Sequence, residues 1–125
     1  MTNSLSIKEQ AKVQDFLNGV ARNSERTRKA YNVGLVHFQT FLCNDDRYSE
    51  FTAESILLPV SKNQINVYTL IDNFVSYLVS KHKNKLSPNA VSLYVVALRS
   101  YLLYHDIDIV PELEKVQEPV TVSVN

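Results

Sequence analysis

Apolar residues recur at helical spacing in four stretches of the chain, separated by shorter polar segments. The first stretch opens at Ser6, which forms a Ser-x-x-Glu capping box with Glu9, and runs to Val20. The second opens at Ser24, a residue type that is favoured at the N-cap. The apolar stripe of this second helix comprises Tyr31, Leu35, Phe38, Phe41 and Leu42. Its polar side is expected to carry Arg28, Lys29, Asn32 and Gln39.

The segment between the second and third helices is the least regular part of the interior. Residues 44–47 break the apolar pattern, and a short helical turn capped by Thr52 is expected after them. We therefore predict a surface insertion here. The third helix is predicted from about Asn63 to Lys81, and its start is marked by a second capping box. The residues of that capping box are Ser61 and Gln64.

The fourth helix has the clearest start in the sequence. Ser87 is the N-cap, and Pro88 occupies the first helical position, where its missing N–H costs nothing. We expect this helix to end near His105. The pattern predicts an all-α fold, a compact bundle of four main helices without a sheet. The chain of 125 residues fits one domain, which we place at residues 1–110, followed by an acidic linker or tail at 111–125.

The composition narrows the function classes. The two glycines are too few for an all-β fold and exclude a glycine-rich loop that cradles phosphates. Cys43 is the single cysteine, so no internal disulfide can form, and a buried inert thiol is expected there. No signal peptide or membrane span is recognisable, which favours a soluble intracellular protein, cytoplasmic or, in a prokaryote, nucleoid-associated. No residue spacing indicates a metal site or another cofactor.

The charge is distributed unevenly although the net charge is zero. Residues 1–105 carry 12 Lys and Arg against 8 Asp and Glu, a balance of +4, and residues 106–125 carry a balance of −4. An acidic tail therefore masks a basic body, and a basic body is typical of proteins that bind nucleic acid.

Two stretches together resemble a known family. Residues 24–31 read SERTRKAY, and residues 86–102 read LSPNAVSLYVVALRSYL. The pair is similar to the S-x-x-T-x-x-x-Y helix and the L-S-P-x-T-V-x-x-Y-x-x-x-L-R-x-F/Y-L helix of the SAM-like core-binding domain of tyrosine recombinases, the phage-integrase and Xer-type enzymes. The resemblance covers about residues 8–115, and Ala90 stands where the family usually has Thr.

The resemblance implies a DNA-binding domain that clamps the duplex for integration or recombination. In the family, the catalytic residues lie in a following domain, namely Arg, Lys, a His-x-x-Arg motif and the nucleophilic Tyr. None of these is recognisable here, so we expect no catalytic residue and no enzymatic activity in this chain. The expected partners are double-stranded DNA, a C-terminal catalytic domain in the full-length protein, and other recombinase protomers on the same DNA.

The candidate DNA-binding residues are cations and short hydrogen-bonding side chains near helix ends. If the bundle is antiparallel, the start of the second helix, the end of the third and the start of the fourth are expected to share one end. Two helix N-termini would add N–H donors for phosphate. The candidate residues are Arg22, Arg26, Thr27, Arg28, Lys29, Lys81, Lys83, Lys85, Ser87, Asn89, Ser92 and Arg99.

Other chemistry in the sequence is weaker. The seven tyrosines fall mostly on helical stripes and are expected in the core or at its rim. His82 and Lys85 imitate the family's His-x-x-Arg element, and we interpret them as part of the basic patch. Two alternative functions remain open, a helical protein–protein interaction module and a stand-alone DNA-binding regulator that competes for recombinase sites.

Overall fold

The computed structural model describes residues 6–22, 24–81 and 86–109 of the chain. Within these residues the fold is all-helical without a strand, which confirms the predicted class. A 3₁₀ turn at Ile7–Glu9 precedes the α-helices. The helices are α1 Ala11–Ala21, α2 Glu25–Asn44, α3 Leu57–Ser61, α4 Val67–Lys81 and α5 Pro88–Tyr104. None of the described helices is both long enough and apolar enough to cross a membrane.

The core lies between the four long helices and contains the apolar stripes that the sequence predicts. Phe38 of α2 and Phe74 of α4 meet edge to face, with ring centroids 5.5 Å apart, in the geometry that aromatic pairs prefer. The most extensive helix pairing is that of α2 with α5. The largest fully buried side chains are Tyr101, Phe38, Phe41, Phe74, Leu17, Leu35, Leu42, Ile56, Leu70, Leu78, Leu98 and Leu102.

Two helix starts form as predicted, because their side-chain caps satisfy N–H groups that have no partner inside the helix. The Ser24 Oγ accepts a hydrogen bond of 3.1 Å from the Thr27 N–H at the start of α2. The Ser87 Oγ accepts one of 3.1 Å from the Ala90 N–H at the start of α5, and α5 ends at Tyr104, next to the predicted His105.

The predicted start of the first helix is wrong. The Ser6 Oγ accepts from the Lys8 N–H and caps only the 3₁₀ turn. The chain then takes one extended residue, Gln10, before α1 begins at Ala11. Gln10 breaks the helix because its side chain is engaged in the core.

The predicted start of the third helix, near Asn63, is also wrong. The Asn66 Oδ1 accepts from the Tyr68 N–H at 2.9 Å and caps α4, which begins at Val67. Ser61 ends α3 instead, and its hydroxyl donates to the Leu58 carbonyl at 2.8 Å. Asn63 then adopts a left-handed backbone with φ 63°, which stops a helix as a glycine would. The predicted capping box at Ser61 and Gln64 therefore lies at the C-terminal end of α3 and not at the start of the next helix.

The segment at residues 45–56 contributes side chains to the core, which corrects the prediction of a mere surface insertion. Tyr48, Ala53 and Ile56 are all buried. Thr52 does start a turn here, since its Oγ1 accepts from the Ser55 N–H at 3.0 Å. The turn leads directly into α3, so the segment closes one side of the bundle.

Two buried glutamines hold this segment in place. The Gln10 Nε2 donates to the Gln39 Oε1 at 2.9 Å, and the same oxygen accepts from the Ala53 N–H at 2.8 Å. The Gln10 Oε1 accepts from the Glu54 N–H at 2.8 Å, and the Tyr101 hydroxyl donates to the Ala53 carbonyl at 2.7 Å. Gln39 thus lies in the core and not on the polar side of α2. It is accommodated there because a buried polar group costs little once it is hydrogen-bonded.

Candidate nucleic-acid interface

The middles of α2 and α5 are pressed together at a glycine. A Cβ built on Gly34 would lie 2.9 Å from the Ala97 Cβ, so only glycine allows this approach of the two backbones. One turn further along α2, the His37 ring stacks on the Tyr94 ring at 4.7 Å. Residue numbers therefore rise along α2 as they fall along α5.

Contacts through α1 fix the same direction at one end of the pair. The Phe16 ring lies between Tyr31, near the start of α2, and Tyr104, at the end of α5, with centroids 5.9 and 5.6 Å away. Gly19, near the end of α1, also faces the Tyr104 ring. The start of α2 thus lies beside the end of α5, and the two helices are antiparallel.

This direction contradicts the expectation that the starts of the second and fourth predicted helices share one end. Arg26 lies two turns before Gly34, and Ser87 lies more than two turns before the point of α5 that meets Gly34. At 1.5 Å per residue, the two positions are about 25 Å apart along the pair. The candidate residues on α2 and at the start of α5 thus form two groups and not one.

The first group surrounds the start of α2, and we call it the α2-start cluster. The side chains of Arg22, Arg26 and Lys29 are exposed, and those of Thr27 and Arg28 are half-buried. No ion pair involves these cations within residues 6–22, 24–81 and 86–109. The α2-start cluster therefore presents four positive charges to solvent at a helix N-terminus, beside a single acid, Glu25.

The second group lies at the start of α5, near the end of α4. Asn89 and Ser92 are exposed, and Ser87 is exposed although its Oγ caps the helix. The side chain of Lys81 and the whole of Lys83 and Lys85 fall outside the described residues. The expected contribution of these lysines to a basic surface stays a prediction.

Arg99 belongs to neither end. It is half-buried on α5, and the antiparallel register places it level with about residues 30–32 of α2. Measured along the axis of the α2–α5 pair, Arg99 therefore lies closer to the α2-start cluster than to Ser87.

An acidic and polar turn follows the end of α2. The Arg47 side chain forms two hydrogen bonds with the Asp45 carboxylate, from Nε to Oδ1 at 2.9 Å and from Nη2 to Oδ2 at 2.7 Å. The Arg47 guanidinium lowers the pKa of the Asp45 carboxyl below its ordinary value. Arg47 is thus largely neutralised and adds little positive charge to this end.

Sequence reasoning missed one feature of the surface: four of the seven exposed aliphatic side chains in the described residues lie near the middle of the α2–α5 pair. Their exposed fractions are 42% for Val33, 44% for Val36, 38% for Leu93 and 46% for Val96. The first two are one turn apart on α2, and the other two are one turn apart on α5. We call these four residues the aliphatic patch. The sequence signal was present, since α5 is apolar on nearly all sides.

Other chemically capable groups do not form a second site. Burial raises the pKa of the Tyr101 phenol, so this hydroxyl is a structural donor and not a nucleophile. Cys43 is half-buried rather than buried, and it lines a cleft of about 390 Å³ together with Val36 and Thr40. No group of three metal-ligating side chains occurs in the described part of the chain.

Comparison of the chain with protein-family models, with curated protein sequences and with solved structures finds no match.

Proposed function

We propose that this domain binds double-stranded DNA through the outer face of the α2–α5 pair. The observation that carries the proposal is the α2-start cluster, in which Arg22 at the end of α1 and three cations in the first turns of α2 have no acidic partner in the described residues. Phosphates are the principal source of affinity in protein–DNA complexes, and both Arg and a helix N-terminus bind them well.

The resemblance to the core-binding domain of tyrosine recombinases supports the same face. The residues that carry it, 24–31 and 86–102, include the first turns of α2 and most of α5, and these two helices pack against each other. We infer that the domain positions a recombinase on its recombination or integration site. A catalytic domain elsewhere in the full-length protein would supply the bond-making residues.

The dimensions of the pair suit a duplex. Its face is about 25 Å long, which corresponds to about seven base pairs at 3.4 Å each. The major groove is about 12 Å wide and admits one helix, so the second helix would lie against the sugar-phosphate backbone. Exposed Asn89 and Ser92 are short hydrogen-bonding side chains that can reach a base edge or a phosphate.

The test is a fluorescence anisotropy titration of the chain with a duplex at two salt concentrations. With four phosphates held by the α2-start cluster, the logarithm of the association constant should fall with the logarithm of salt at a slope of about −3.5. The triple variant Arg22→Ala, Arg26→Ala, Lys29→Ala should reduce the magnitude of that slope by about 2.7.

A matched control removes the same charge from other elements. The triple variant Lys8→Ala, Lys12→Ala, Lys62→Ala changes three exposed lysines that lie outside α2 and α5. It should retain most of the affinity and the slope of the native chain. Equal losses in the two triple variants would show that only net charge matters and would refute the proposed face.

A protein–protein interaction module is the second candidate, and the aliphatic patch is the observation that favours it. Failure to bind any duplex at low salt would select this candidate. A stand-alone DNA-binding regulator shares the binding surface with the first proposal, and only the reading frame that encodes the full-length protein separates those two.

A further inference from the structure

The aliphatic patch occupies the middle of the face that we propose binds DNA. Gly34 meets Ala97 and Tyr94, so Val33 and Val36 of α2 lie level with Leu93 and Val96 of α5. All four side chains are between 38% and 46% exposed. Scattered exposed aliphatic residues are normal on protein surfaces. These four differ because they lie at similar heights on two helices that pack against each other.

The surroundings of the patch suit a nucleic acid. Toward the start of α2 lie the cations of the α2-start cluster, and toward the start of α5 lie Ser92 and Asn89. Thr40, which is exposed one turn beyond Val36, adds a further short polar side chain on α2. A positively charged end and short hydrogen-bonding side chains complement a polyanion with polar base edges.

We propose that the aliphatic patch contacts the 5-methyl groups of thymine in the major groove. This inference rests on the proposed function. Aliphatic side chains have no donor or acceptor, so they cannot read the hydrogen-bonding pattern of a base edge. The apolar group that the major groove offers is the thymine methyl. The patch would therefore favour thymine in the middle of the bound segment.

The size of the patch limits how many methyl groups it can reach. Val33 and Val36 are three residues apart, as are Leu93 and Val96, which corresponds to a length of about 4.5 Å along each helix. This length covers one or two base-pair steps of about 3.4 Å. Loss of one methyl contact should weaken binding about fourfold, and loss of two about fifteenfold.

The experiment compares alternating A·T duplexes with duplexes of the same sequence in which deoxyuridine replaces thymidine. Only the methyl groups differ between the two probes. We expect the native chain to bind the thymidine duplex about fourfold to fifteenfold more tightly at one salt concentration. The double variant Val33→Ser, Val96→Ser removes half of the patch and should show a clearly smaller preference for the thymidine duplex.

A matched control is Val79→Ser on α4, because Val79 is 57% exposed and lies outside α2 and α5. This variant should keep the preference for thymidine. Circular dichroism of the double variant checks that it is folded, and the comparison of the two duplexes with the native chain needs no variant.

The possible results distinguish failure of the thymine-methyl contact from failure of DNA binding itself. Duplex binding with equal affinity for the two probes would overturn the inference and leave the proposed function standing. Absence of duplex binding at low salt would overturn both. Self-association of the free chain that is lost in the double variant, measured by sedimentation, would assign the aliphatic patch to a second copy and also overturn the inference.

Discussion

The two faces of α2 contrast in what surrounds them. The inner face carries Leu35 and Phe38, both fully buried, and presses Gly34 against α5. The outer face carries exposed Lys29 and Val36, which contact little of the domain's interior. The same helix thus supplies a packed surface that determines the fold and an open surface that is available to a ligand. Substitutions on the inner face should affect stability, and those on the outer face should affect binding.

The largest expected effect comes from Phe38→Ala. Phe38 has no exposed surface and touches Phe41 and Phe74 with ring centroids 6.2 and 5.5 Å away. Its truncation removes buried apolar area and leaves a cavity, which should lower the free energy of unfolding by about 3–5 kcal/mol. Urea unfolding followed by circular dichroism measures this loss. Val36→Ala on the outer face is the matched change and should shift stability by about 0.5 kcal/mol or less. Similar losses for the two would contradict the contrast between the faces.

The next effect comes from the buried polar contact of the inner face. Gln39→Leu would leave the Ala53 N–H and the Gln10 amide without the oxygen that accepts from both. A buried donor without a partner costs about 1–3 kcal/mol, so we expect a loss of about 2–3 kcal/mol. Hydrogen exchange should show reduced protection of the Ala53 amide.

Thr40 provides the control for Gln39, since it is the next residue and lies on the exposed face. Thr40→Val should leave both the free energy of unfolding and the exchange of the Ala53 amide nearly unchanged. If Gln39→Leu were as harmless as Thr40→Val, the segment at residues 45–56 would not depend on the glutamines.

These residues show which parts of the fold local sequence can predict. The apolar spacing around Phe38 and the caps at Ser24 and Ser87 depend on residues within a few positions, and these predictions are confirmed. Gln39 has partners 29 and 14 residues away, at Gln10 and Ala53, so its burial follows only from the tertiary structure. The hydrophobic pattern alone places Gln39 on the polar side of α2, and the structure shows that this prediction is wrong.

The candidate site was harder to predict for the same reason. The cations at the start of α2 are adjacent in sequence, so the α2-start cluster could be recognised from local spacing. Their relation to Ser87 depends on the direction of α5 relative to α2, which Gly34 and its close contact with Ala97 establish. Glycine is uninformative in a helical pattern unless its neighbour in space is known. The similar heights of the four aliphatic patch residues likewise follow only from this register.

The smallest expected effect on stability comes from Lys29→Ala on the outer face. Lys29 is exposed and has no ion pair within the described residues, so the free energy of unfolding should change by about 0.5 kcal/mol or less. Its expected effect is on binding, because loss of one phosphate contact should reduce the magnitude of the salt slope by about 0.9. Lys62→Ala, an exposed lysine just after α3, should change neither quantity. A lysine that contacts phosphate releases counterions when the duplex binds, and a lysine in free solvent does not. If the salt slope stayed constant in Lys29→Ala, or fell equally in Lys62→Ala, the duplex would lie away from the outer face of α2.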